Sequence, residues 1–376
     1  MDSDQNPSKT QPFVAESHPL ETVAGLVHPH QLEVQDFSAY ALIVDARAPA
    51  DFADDHIPAA INLPVLSESQ QAEFEREVQA DRSRALLIGA THARANMDSN
   101  TLAAVADLAP AARVLVYGAG SDYRGWLCAG ALREHGLDVD ELLGGHKNYR
   151  RWVNAGLALL PRLFLFRVLG GPSGCGQANL LRELARQGQQ VLDLAQLAAH
   201  DGSLLGAQPG ELQPAQRLFE SLLLDALRHR DAWRPLWVTA ASAPTLGGLE
   251  LPRELDTALQ RAPIFEVTAP MGERVKLWCQ RHPRDAADPA AFVEQLALQS
   301  GQVEPGRLIE WRRLAQAGAI EALVEQILIC GDALESKSSE GTGRSQAAPL
   351  ATIRLESLEG PAIAEAVASL IGPISG

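Results

Sequence analysis

The chain has 376 residues, of which 46% are hydrophobic and 21% charged. Lys and Arg number 32 against 47 Asp and Glu, a formal net charge of −15, so bulk charge does not hold this chain to nucleic acid. No run of about 18 apolar residues offers a membrane span. The four cysteines (Cys128, Cys175, Cys279, Cys330) are far apart and form no CxxC pair, which argues against a zinc ribbon or a disulfide framework. No His, Cys, Asp and Glu grouping has metal-ligand spacing, so no metal site is expected. A cytoplasmic location is the expectation.

Residues 1–20, rich in Ser, Gln, Asp and Pro, read as a disordered leader. A first globular unit is expected over 21–155. In it Ala41-Leu42-Ile43-Val44 reads as a short buried strand closed by Asp45, and Arg113 to Tyr117 as a second, closed by Gly118-Ala119-Gly120. Trp126 to His135 has helical spacing. A second unit is expected over 160–288. Phe164 to Leu169 is its first strand, Gly170 to Gly176 a glycine loop and Asn179 to Gln187 a helix. Leu236 to Thr239 and Ile264 to Val267 add strands. Residues 289–376 read as a helical C-terminal region with a Ser/Gly-rich linker near 336–348, then a strand at Thr352 to Leu355 and a helix at Pro361 to Ile371. Strand, glycine turn and helix in that order predict α/β units with mostly parallel sheets.

Asp45-Ala46-Arg47, followed by His56-Ile57-Pro58-Ala59-Ala60-Ile61-Asn62, resembles the rhodanese domain. The resemblance implies a cysteine at the end of a later strand, its thiolate stabilised by backbone N–H groups and a helix N-terminus. That position is Gly118 here, and Arg124 matches the arginine that closes the loop. Asp45, Arg47, Gly118 and Arg124 are therefore the candidates around that loop. Glycine offers no nucleophile, and Asp122 adds negative charge where an anion would sit. Cys128 is the nearest thiol, but it lies in the apolar run Trp126-Leu127-Cys128-Ala129 and reads as core.

Gly171-Pro172-Ser173-Gly174-Cys175-Gly176-Gln177-Ala178 follows a strand and opens a helix, the context of a phosphate-binding P-loop. Gly171, Ser173, Gly174, Gly176 and Gln177 are the anion-binding candidates. Gln177 and Ala178 stand where a P-loop has its lysine and its Mg²⁺-holding hydroxyl, which disfavours nucleoside triphosphate hydrolysis.

A rhodanese domain joined to a P-loop domain resembles the bacterial tRNA 2-selenouridine synthases. Leu143-Gly144-Gly145-His146-Lys147-Asn148-Tyr149-Arg150-Arg151 is similar to that family's interdomain junction, and the stretch from Val191 to Gly206 to another of its segments. The resemblance implies geranylation and selenation of a wobble 2-thiouridine in tRNA, with selenophosphate and geranyl diphosphate as co-substrates. The same resemblance places altered residues at Gly118, at Gln177-Ala178, at Asp201, over Ala240 to Gly247 and over Ile329 to Ala333. These changes fall on polar working positions and spare the scaffold. Catalysis is therefore expected to be impaired or altered, and no catalytic residue is assigned. The alternative is a non-catalytic homologue that binds tRNA or a partner protein. A sulfurtransferase is the weaker alternative, because Gly118 removes the thiolate. Lys147, Arg150 and Arg151, with Arg162 and Arg167, form the basic cluster best suited to phosphate.

Overall fold

The computed structural model describes residues 37–96, 105, 108, 112–120, 123–200, 212–239, 245–299, 303–342 and 348–372. The chain divides into two units. The first comprises Met1–Phe52 with Ala59–Gly156, and the second Ala53–Pro58 with Leu157–Gly376. The expected leader at 1–20 lies outside the described residues.

The first unit contains β1 (Leu42–Asp45), α1 (Pro49–Asp54, whose last two residues count with the second unit), β2 (Ile61–Asn62), α2 (Glu68–Ala80) and α3 (Arg82–Asn96). Then come β3 (Arg113–Tyr117), α4 (Arg124–Glu134), β4 (Asp138–Glu141) and α5 (Gly145–Leu159), which runs past the division between units. The strands form one parallel sheet in the order β2-β1-β3-β4. Asp45 faces Tyr117 across the β1–β3 ladder, so both strands end at the same level. The middle strands carry near-continuous apolar runs because a parallel sheet is covered on both faces. Val44, Val114 and Val116 pack with Phe74, Ala85, Leu127 and Leu132 in one core. A capping box starts α2: the Ser67 hydroxyl accepts from the Gln70 amide at 3.3 Å, and the Gln70 side chain accepts from the Ser67 amide at 2.8 Å.

The second unit opens with β5 (Phe166–Gly170), α6 (Gln177–Arg186), β6 (Gln190–Leu192), α7 (Gln216–Arg228) and β7 (Leu236–Thr239). A hairpin of β8 (Thr245–Leu246) and β9 (Leu249–Glu250) leads to α8 (Arg253–Arg261), β10 (Ile264–Thr268) and α9 (Met271–Arg281). Beyond a short helical turn come α10 (Pro289–Gln299), α11 (Pro305–Gln316) and α12 (Ile320–Thr342), then β11 (Ala351–Arg354) and α13 (Gly360–Ile371). The sheet is parallel throughout, in the order β11-β10-β5-β7-β6, with β5 at its centre. α13 packs against α6 through Ile363 and Val367, while α9 to α12 hold a separate cluster around Trp278, Phe292 and Trp311.

One reading of the C-terminal region needs correction. Composition assigns 336–348 to a linker, but α12 continues to Thr342. The strand expected at Thr352 to Leu355 forms as β11, which pairs with β10, Phe265 opposite Ala351, and so completes the sheet of the glycine loop.

Candidate anion-binding loops

In the first unit β3 delivers Gly118 to the C-terminal edge of the sheet, where α4 and α5 both begin. Close approach dictates the glycines around it. A Cβ on Gly125 would lie 2.8 Å from the Gly118 nitrogen, and one on Gly145 would run into the Gly118 carbonyl oxygen. The first amides of α5 are spent on this loop. His146 N–H donates to the Gly118 carbonyl at 2.8 Å and Lys147 N–H to the Ala119 carbonyl at 3.2 Å. Ser121 and Asp122 lie outside the described residues.

Asp45 and Arg47 are brought together as a buried bidentate pair. Arg47 Nη2 donates to Asp45 Oδ2 at 2.7 Å and Nε to Oδ1 at 3.0 Å, with side chains 6% and 0% exposed. The Arg47 amide also donates to Asp45 Oδ1, and Asn62 Nδ2 donates to the carbonyls of both residues. Burial opposes the Arg47 charge, but the Asp45 hydrogen bonds and charge outweigh it and raise the pKa above the usual arginine value. Both residues thus hold the β1 end in place. Arg124 sits at the first position of α4, 3.6 Å from Asp51.

Cys128 is fully buried, one turn into α4. Burial first, then the charges of Asp45 and Glu141, push its thiol up to about 12. It is a core residue. Cys175 and Cys330 are also buried, and Cys279 is half-buried.

In the second unit the glycine loop follows β5, as expected. Gly171, Gly174 and Gly176 have φ of +112°, +80° and +90°, and Gly176 caps α6. A Cβ on Gly171 would collide with the Val267 carbonyl oxygen, and one on Gly176 would lie 2.8 Å from Leu358 Cδ2. Gln177 does not extend outward. Its Nε2 donates to the Gly171 carbonyl at 2.8 Å and the Pro172 carbonyl at 2.9 Å, closing the loop on itself. Cys175 points into the core with Leu180 and Leu181.

The loop's cation is one that motif spacing does not reveal. Arg274 on α9, 5% exposed, donates to the Ser173 carbonyl through Nε at 2.9 Å and Nη2 at 2.6 Å. Its other contacts go to Asp332 on α12, at 2.9 and 2.8 Å. The only sequence signal for it is a charged residue on the apolar side of α9, beside Val275 and Trp278.

Of the basic cluster, Lys147, Arg150 and Arg151 share one face of α5 by their i, i+3, i+4 spacing. Lys147 and Arg151 are exposed. Arg150 reaches Asn154 at 3.1 Å and Arg151 reaches Asn148 at 3.3 Å. Arg162 pairs with Glu254 at 2.8 Å, and Arg167 lies over the Trp237 ring at 5.2 Å. Asp193 is a helix cap, accepting from the Gln196 amide at 2.9 Å. Asp201 and 240–244 lie outside the described residues. Among the described residues no His, Cys, Asp and Glu group could hold a metal, and no helix is long and apolar enough to cross a membrane.

Residues 30–151 match the rhodanese-like domain family, and residues 165–301 match the tRNA 2-selenouridine synthase AAA domain. Proteins named tRNA 2-selenouridine synthase share this sequence pattern. That of Psychromonas ingrahamii is 27% identical over 246 residues, 64% of each chain. That of Hahella chejuensis is 28% identical over 247 residues, 64% of this chain and 63% of that one. That of Cupriavidus pinatubonensis is 28% identical over 274 residues, 69% and 70% of the two chains. The match thus spans just under two thirds of the length of the first two relatives. With a rhodanese-like unit, an AAA unit and these relatives together, the chain resembles the bacterial tRNA 2-selenouridine synthases.

Proposed function

We propose that the chain is a member of the tRNA 2-selenouridine synthase family that binds tRNA and does not carry out cysteine-dependent group transfer. The observation that carries this reading is Gly118 at the end of β3, between the starts of α4 and α5. Transfer of sulfur or selenium through the rhodanese loop needs a thiolate there. The nearest thiol, Cys128, is buried and held protonated, so it does not substitute.

The second loop supports the same reading. A P-loop lysine reaches the phosphates as a charge. Gln177 carries none and spends its amide protons on its own loop carbonyls. Arg274 is cationic, but Asp332 balances it and Ser173 occupies its donors. What remains for an anion is the backbone of the loop and the α6 N-terminus.

The test is incubation of the full chain with a 2-thiouridine anticodon stem-loop, geranyl diphosphate and selenophosphate, followed by nucleoside mass spectrometry. A catalytically active relative serves as the positive control. The expected result is unchanged 2-thiouridine together with measurable stem-loop binding. Geranyl-2-thiouridine or 2-selenouridine above the no-protein control would overturn the non-catalytic reading. Absence of binding would overturn the tRNA reading and leave a partner protein, which the net charge of −15 accommodates.

A further inference from the structure

The sheet of the second unit has a cavity at the end opposite its glycine loop. The loop follows the C-terminal end of β5, whereas the cavity lies where strands begin: Phe164 to Phe166 at the start of β5, Pro235 before β7 and Pro263 before β10. The five residues of β5 put the two about 16 Å apart. The cavity has a volume of about 750 Å³, within the range of small-ligand sites. One wall is apolar, formed by Pro161, Leu165, Pro235 and Pro263, and Leu165 is 59% exposed.

The other wall is cationic. Arg162, Arg167, Arg253 and Arg261 line it, with Glu254 as the one lining carboxylate, a local charge of +3 on a chain of −15. Glu254 is bound by Arg162, and the charges of Arg253 and Arg261 also reach it. Arg167 is stacked on Trp237. Arg162, Arg253 and Arg261 are all exposed, and Arg162 is the one paired with Glu254 at 2.8 Å. Arg253 and Arg261 sit eight residues apart on one face of α8, about 12 Å along the axis. That backbone separation exceeds one phosphate group, so the two side chains can each meet a different phosphate. The guanidinium fork matches phosphate oxygens, and exposed Leu165 and Pro263 offer an apolar surface beside them.

We infer that this groove is a second nucleic-acid subsite, holding two phosphates of a single-stranded RNA segment on Arg253 and Arg261. The inference deepens the tRNA-binding reading and rests on it. It adds a place for RNA at the end of the sheet opposite the glycine loop.

The test is fluorescence anisotropy of a fluorescein-labelled single-stranded RNA 12-mer with the full chain, at several salt concentrations. Arg253→Gln with Arg261→Gln removes two charges from exposed positions. The expected result is binding weakened about tenfold or more. The slope of log affinity against log salt should fall by about 1.4, at about 0.7 for each phosphate no longer neutralised. Arg253→Lys with Arg261→Lys keeps both charges and is expected to keep the slope. Arg76→Gln with Arg284→Gln, two exposed arginines that do not line the cavity, is the control and is expected to leave the slope nearly unchanged. RNA binding that survives the α8 double variant overturns the groove and leaves the tRNA reading standing. No binding of the 12-mer by the unaltered chain overturns the groove, while binding of the anticodon stem-loop still decides the tRNA reading. Displacement of the RNA by 5′-AMP at low micromolar concentration, or by polyglutamate as readily as by unlabelled RNA, also overturns the inference, because the site would then hold a free nucleotide or an acidic peptide.

Discussion

Arg274→Met tests whether the glycine loop is held from beneath by a buried ion pair. The substitution preserves most of the side-chain volume and removes four hydrogen bonds, two to the Ser173 carbonyl and two to Asp332. Removing one partner of a buried pair costs about 3–5 kcal/mol, mostly as the penalty of the charge left behind. The Asp332 side chain is 28% exposed, so water solvates part of it and the cost falls near about 3 kcal/mol. Arg274→Met combined with Asp332→Leu removes both charges and costs mainly the two hydrogen bonds from Arg274 to the Ser173 carbonyl, about 1–2 kcal/mol. The double variant is therefore expected to be more stable than either single one. Urea unfolding followed by tryptophan fluorescence reads this, since Trp278 lies one turn along α9 from Arg274. The two units need separate transitions in the fit. With a slope of about 3 kcal/mol/M for a unit of this size, Arg274→Met moves the second unit's midpoint by about 1 M. A shift below about 0.3 M, or a double variant as damaged as the two singles added together, would refute the argument.

Gly171→Ala should cost about 3 kcal/mol or more, from its φ of +112° and the Val267 carbonyl in its path, as thermal melts will read. Gln177→Ala loses the two bonds that close the loop and should cost about 1–2 kcal/mol, read in the same melts. Mass-mapped alkylation of the native chain at pH 8 should modify Cys279 and leave Cys128 untouched. Because burial raises the Cys128 thiol to about 12 from an ordinary 9.0, the folded state retains a proton that the unfolded state releases. That contribution to stability is full below about 9 and is lost as pH rises from there through 12, so alkaline unfolding should ease in that window, less so in Cys128→Ala.

Apolar runs between glycines made β1, β3, β5, β7 and β10 legible, along with both loops. β4 was not, because Asp138-Val139-Asp140-Glu141 buries only Val139 and sits at a sheet edge. α3 escaped for a different reason. Its buried positions are Ala85, Gly89 and Ala93, small residues that let Phe74 approach and leave no stripe of large side chains. Gly118 and Gln177 could be found because each stands at a fixed offset within a motif. Arg274 and Asp332 belong to no motif and meet the loop only through tertiary packing, as do Arg253 and Arg261 at the groove. Position in sequence locates backbone sites well, while the side chains that brace them arrive from distant helices.

The route by which β11 and α13 return to the sheet bears on how the protein is made. Leu355, Leu358 and Ile363 press on the glycine loop at Gly176, and Leu358 N–H anchors Glu273 at 3.0 Å. During synthesis the loop leaves the ribosome long before these partners exist. Contacts so distant in sequence form late and expose the chain while they wait. Until then β10 has an open edge and α6 an uncovered apolar face. The packed shape of residues 171–177 is thus the last feature of its unit to be completed in translation, and a nascent chain stalled before β11 is expected to be a client for chaperones.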